Sequence, residues 1–186
     1  MNPHTAELVA HLDENRRMLR AAVDEVPAGL RERRPAADRW SVVEVLEHLA
    51  IVENRVTSRL GDALAGARER GIPAETHTGS VLDRSFLDRV VDRSQRFKTS
   101  EAAEPRGGLD IQAAWARLDQ ARGAFLGLLT ESDGLAVGRI TAPHPFFGQL
   151  SFYQWAVFLA AHDARHAAQI REVHAALSAG AGPPRE

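Results

Sequence analysis

The sequence contains no cysteine. That absence excludes a disulfide framework, a thiolate zinc site and a cysteine nucleophile together, so any metal must be held by histidine, carboxylate or water. Long apolar runs are missing as well: no stretch approaches the roughly 18 residues of a membrane span. The first residues, Met1 to Thr5, do not form a basic-then-apolar leader. No membrane partner is expected, and the cytoplasm is the expected compartment. Neither sign of charge is in excess, with 23 basic against 25 acidic residues and a net charge of -2. A broad footprint for nucleic acid or anionic membrane is thereby disfavoured. The short run Arg31 to Arg34 is interrupted by Glu32 and lacks interleaved aromatics, so it reads as a solvated loop. There is no phosphate-cradling Gly-Lys-Ser/Thr loop, no Gly-x-Gly-x-x-Gly opening a helix and no Gly-x-Ser-x-Gly elbow. Nor is there a strand-like alternating run or an internal repeat.

What is present is a chain of 186 residues, 44% apolar and 26% charged. This is the composition of one soluble globular domain, able to bury about two-thirds of the surface its unfolded form would expose. The expected domain covers residues 1–177, followed by a flexible tail at 178–186 that is rich in small residues and proline. Four long amphipathic helices are legible. The first runs from Pro3 to about Val26 with Leu8, Leu12, Leu19, Val23 and Val26 on one face, and places Arg16 and its charged neighbours mostly elsewhere. The second opens on Ser41 and Glu44, a capping box, and runs to about Arg70. The third starts after Asp110 and ends near Gly134. The fourth opens on Ser151 and Gln154, again a capping box. Residues 81–97 read as a short extra helix or lid between the second and third long helices, 101–108 as a connector, and 141–148 as a rigid loop carrying two prolines. The expected fold is an all-α four-helix bundle.

The chemistry on offer is histidine. In the last helix Trp155, Leu159, His162, His166, Ile170, Val173 and Leu177 recur at steps of three or four, so two imidazoles sit on the buried stripe. A buried imidazole loses hydration on both ring nitrogens unless each finds a partner. An i, i+4 pair can share a divalent cation; alternatively, one ring bonds a polar neighbour and the other lies at the core's edge. His48 falls on the stripe of the second helix, among Val45, Leu49 and Val52. It lies about two turns in, against three to four turns for His162 and His166, so an antiparallel or crossing pair of these helices can bring all three together. Glu44, Glu47 and Asp163 are close in sequence to these histidines. They are either partners that orient an imidazole or members of a solvated helix face. His144, between two prolines, reads as a structural residue, with a fourth ligand or an acid-base group in the entrance loop as the weaker alternative. His4, His11, His77 and His174 have no partner spacing.

Trp40-Ser41, Glu44 to Leu49, His144-Pro145, Gly148 to Ser151, and His162, Arg165, His166, Gln169 and Ile170 together resemble the DinB-like four-helix-bundle superfamily, which is unrelated to the DNA polymerase sharing that name. The resemblance spans most of the chain. It implies a site for a divalent metal ion with ligands His48, His162 and His166; three imidazoles accept zinc, nickel, iron or manganese. It also implies kinship with transferases acting with bacterial low-molecular-weight thiols, and a homodimer. No catalytic side chain and no organic cofactor site is assigned. The leading expectation is a metal-dependent thiol S-transferase or hydrolase, with a small-molecule thiol and an electrophilic co-substrate as partners. A metal-activated thiolate or water would then supply a nucleophile that the cysteine-free chain cannot. The alternatives are a non-catalytic metal-binding or stress-associated bundle protein, and a helical interaction module with hydrogen-bonded core histidines.

Overall fold

A computed structural model describes residues 1–95 and 97–180. Five α-helices form its body: α1 (Pro3–Asp24), α2 (Val42–Glu69), α3 (Arg84–Val91), α4 (Ile111–Glu131) and α5 (Phe152–Gly180). Each long helix starts where a side chain can take up a free backbone N–H of the first turn. Asn2 Oδ1 accepts from the His4 amide at 3.0 Å with Pro3 in the first helical position, and Asp110 Oδ1 accepts from Ala113 at 2.7 Å. Both expected capping boxes form. The Glu44 amide donates to Ser41 Oγ at 3.2 Å while Ser41 N–H donates to Glu44 at 2.8 Å; Gln154 and Ser151 repeat the exchange at 3.2 and 2.9 Å. At the other end of α2, Gly71 takes φ +80°, a value that favours glycine.

The core falls into two apolar clusters. One gathers Leu8, Leu12, Leu60, Phe125, Leu129, Phe152 and Leu159; the other gathers Leu19, Val23, Val45, Leu49, Leu118 and Ile170. Following each helix from one cluster to the other gives its direction: α1 and α5 run one way, α2 and α4 the opposite way. Packing is most extensive between α1 and α5 and between α2 and α4, so each close pair is parallel. A parallel pair needs a connection that travels back along the bundle. For α2 to α4 that crossover is residues 70–110, which explains the extra helix α3 read from the sequence as a lid. Asp83 caps α3, and Arg165 of α5 donates to the carbonyls of Val90, Asp92 and Gln95, holding the segment beyond α3 against the bundle.

A layer of buried charge separates the two clusters. Arg16 of α1, Glu53 of α2, Arg122 of α4 and Asp163 of α5 supply one side chain from each long helix. Arg16 bonds Asp163 at 2.8 Å and Glu53 at 3.0 Å; Arg122 bonds Asp163 at 3.1 Å, donates to the Leu12 carbonyl at 3.2 Å and also pairs with Glu53. Two cations face two anions with additional hydrogen bonds, the arrangement that makes buried charge tolerable. Arg16 therefore lies inside, contrary to the placement expected from its charge, because its partners are supplied by other helices.

Residues 141–148 also depart from the expected loop. They form a β-hairpin, β1 (Thr141–His144) with β2 (Gly148–Ser151), paired antiparallel with Thr141 opposite Ser151 and His144 opposite Gly148. The three turn residues, Pro145 to Phe147, lead into Gly148 at the start of β2, whose φ of +75° is a left-handed value that favours glycine. Four-residue strands containing Pro143 are too short to display an alternating pattern. At the chain's end, α5 continues through Gly180; the remainder of the expected tail, 181–186, lies outside the described residues.

Candidate metal centre

His48, His162 and His166 meet where α2 and α5 run antiparallel. Each ring offers one nitrogen such that the three atoms lie within 4.8 Å of one another, and all three residues are buried. Ring centroids are 5.3 Å apart for His48 and His162, 5.0 Å for His48 and His166, and 4.4 Å for His162 and His166. The expected pairing of depths along the two helices is thus realised.

Hydrogen bonds at the outer nitrogens decide which atoms face inward. His48 Nδ1 lies 2.7 Å from the carbonyl oxygen of Ala103, and His166 Nδ1 lies 2.7 Å from Gln169 Oε1. A carbonyl or amide oxygen accepts, so in both rings Nδ1 carries the proton and Nε2 keeps its lone pair. His162 Nε2 and His166 Nε2 face each other at 3.0 Å. Two nitrogens bound to one ion at about 2.0–2.1 Å lie roughly 2.8–3.4 Å apart for bond angles between about 90° and 110°. The donor set and its spacing fit a divalent cation.

Electrostatics point the same way. Burial pushes the His48 imidazole below its ordinary value of 6.5, and pushes His162 and His166 well below it; a charge on His48 further disfavours one on either of the other two, and a charge on His166 one on His162. Neutral imidazoles are the form that binds metal. Phe158 stacks on His162 at 5.0 Å and Trp40 packs on His48 at 4.9 Å, fixing both rings.

Among the described residues Glu44, Glu47 and Asp163 hydrogen-bond to none of the three imidazoles, and none belongs to a solvated face: all are buried. Glu44 closes the capping box and is clamped by Arg34, Glu47 accepts the Gly107 amide at 2.9 Å, and Asp163 belongs to the charged layer. Glu47 still acts on the site at one remove, because Gly107 lies in the connector that delivers the Ala103 carbonyl to His48. The imidazole-orienting groups are instead Ala103 and Gln169. Gln169 is readable as the i+3 neighbour of His166 on one helix face, whereas a backbone carbonyl has no signature in sequence.

His144 stands apart from the three-histidine group. Its Nδ1 accepts the amides of Phe146 at 3.1 Å and Phe147 at 3.3 Å, its ring packs on Phe158 at 4.6 Å, and burial, reinforced by the Arg59 charge, lowers its pKa to about 4. His4 lies elsewhere, bonded to the Gly79 carbonyl and packed on Tyr153. The three histidines border a pocket of about 860 Å³, which His144, Trp155, Phe158 and residues of the crossover also line.

The sequence profile of the DinB superfamily matches residues 11–170. The chain belongs to the DinB superfamily. Among its relatives is the uncharacterized protein YuaE of Bacillus subtilis (strain 168), 28% identical over 144 residues, a match covering 75% of this chain and 80% of that protein. Among solved structures, the four-helix bundle protein TT2238 superposes with a TM-score of 0.54 at 22% identity, over 90% of this chain and 98% of that one. The latter likeness speaks to the fold. Family membership and the buried histidine triad together are compatible with metal binding. Among the described residues no helix is long and apolar enough to cross a membrane.

Proposed function

We propose that this DinB superfamily protein is a metal-dependent enzyme that uses a divalent ion held by His48, His162 and His166 to activate a low-molecular-weight thiol for transfer to an electrophile. The observation carrying this reading is the position of the triad on the wall of the pocket of about 860 Å³. Three protein ligands leave a coordination position for substrate, whereas a purely structural site closes with a fourth. Among the described residues no carboxylate joins the three histidines. An ion there lowers the pKa of a thiol or water that it binds.

The protein's own contribution is positional. Ala103 and Gln169 fix the tautomers of His48 and His166, Phe158 and Trp40 fix ring planes, and the apolar wall of Phe158, Trp155 and Val52 limits water around the reacting sulfur. The chain itself holds no thiol, so the nucleophile enters with the substrate. The test is the rate at which a panel of small thiols is consumed with an electrophile, using metal-free and metal-restored protein. Turnover that appears with metal and vanishes in His162→Ala supports the proposal. A fully loaded protein that turns over no thiol and no ester leaves the non-catalytic metal-binding alternative.

A further inference from the structure

The lining of the pocket is lopsided in charge. Arg39, Arg55, Arg59, Arg93, Lys98 and Arg165 face it against only Asp38, Glu104 and Glu172, in a protein whose net charge is -2. Several of these cations are already engaged. Arg93 grips Glu172 with two bonds of 2.6 Å, Arg39 lies 3.9 Å from the same carboxylate, and Arg165 is spent on backbone carbonyls. Arg55 and Arg59 are each held by one backbone carbonyl, that of Ala102 at 3.2 Å and that of Pro143 at 2.8 Å, and neither pairs with a carboxylate among the described residues. Of the two, Arg59 is the one anchored next to His144, through the carbonyl of the residue that precedes it.

His144 completes the arrangement through its tautomer. Two turn amides point at Nδ1, so that nitrogen must present its lone pair, and a neutral ring then carries its proton on Nε2. Nε2 has no hydrogen-bond partner among the described residues, and the ring lines the pocket. The ring is consequently a fixed donor. A ligand atom would need the Nε2 lone pair, which explains why His144 stays outside the triad and is not a fourth ligand. A neutral N–H beside an anchored, carboxylate-free guanidinium forms a receptor for a small anion. Between His144 and His162 lies one aromatic ring, Phe158, with centroid steps of 4.6 and 5.0 Å.

We infer that Arg59 and the His144 Nε2–H form a carboxylate subsite, so that the molecule presented to the three histidines is a short acid, its carboxylate held by these two donors a few atoms from its reacting end. The inference rests on the proposed function for the role of the histidine end; the subsite itself needs no metal. A carboxylate matches one guanidinium and one neutral donor, whereas phosphate is better served by several cations.

The test is performed on the full chain, metal-free and metal-loaded, by nuclear magnetic resonance of the histidine ring nitrogens. The His144 ring is expected in the Nε2–H tautomer. Titration with 3-mercaptopropionate should shift its signals saturably, 2-mercaptoethanol should not, and inorganic phosphate should bind more weakly than the acid. Arg59→Gln should weaken 3-mercaptopropionate about tenfold or more, the worth of one charge-assisted contact. The 2-mercaptoethanol response and metal content should stay unchanged, and Arg59→Lys should restore part of the affinity. An Nδ1–H tautomer, equal affinity for acid and alcohol, tighter binding of phosphate, or an Arg59→Gln protein with undiminished acid affinity would each overturn the subsite. Failure to take up metal would count against the proposed function alone, because the titration of metal-free protein still decides the subsite.

Discussion

Taking the metal-free protein from about pH 7.5 to about pH 5.5 loads the unfolded chain with protons that the folded site refuses. His48, His162 and His166 are held below 6.5 by burial, the last two well below. The folded state binds fewer protons than the unfolded state in this window, so stability is present above 6.5 and is lost as pH falls. For each histidine that stays neutral when folded, the loss across two pH units centred on 6.5 is about 1.4 kcal/mol, so His162 and His166 together give about 3 kcal/mol and His48 adds to it in the same direction. His144, held at about 4, and His11, lowered by burial, act in the same direction. Burial raises the Glu53 carboxyl, and a raised acid contributes stability that is lost as pH rises; this single opposing group does not cancel three histidines. The assay is urea unfolding at both pH values, with the slope against urea checked for constancy. Wild type should lose several kcal/mol, and His166→Gln should flatten the dependence by about one histidine's share, roughly 1.4 kcal/mol. Stability that is flat or increases on acidification would refute the account of a neutral, desolvated triad.

Removing one partner from the charged layer should be costly. Arg122→Met leaves Glu53 and Asp163 to share Arg16, and a loss of about 3–5 kcal/mol is expected in urea unfolding; a loss below about 1 kcal/mol would mean the layer is solvated. The two capping boxes give smaller effects: Ser41→Ala and Ser151→Ala should each lower stability by about 0.5–2 kcal/mol, checked by the denaturant midpoint. Both variants retaining the wild-type midpoint would contradict the cap assignments.

How much of this was legible in the sequence depended on whether the information was local. Ser41 with Glu44 and Ser151 with Gln154 are three residues apart, so the helix starts that fix the depth of each histidine could be read directly. His48, His162 and His166 fell on apolar stripes with the spacing of a helix face, and the antiparallel run of α2 and α5 brought them together. Arg16, Glu53, Arg122 and Asp163 were not legible as a unit. Each resembles an ordinary polar residue within its own helix, and only the packing of four helices supplies the partners. The hairpin escaped notice because its strands are four residues long, although Gly148 was in view. His144 was read as structural or as a ligand, whereas its fixed tautomer depends on the turn that the hairpin creates.

The central claim is that the three histidines bind one divalent ion, and metal content tests it most directly. Protein purified without a histidine tag and offered zinc, nickel, iron and manganese should retain about one equivalent by mass spectrometry, in keeping with a single three-histidine group. His162→Ala should retain none while its far-ultraviolet circular dichroism stays helical. Wild-type protein that holds no stoichiometric metal, or a His162→Ala protein that holds as much as wild type, would contradict the account.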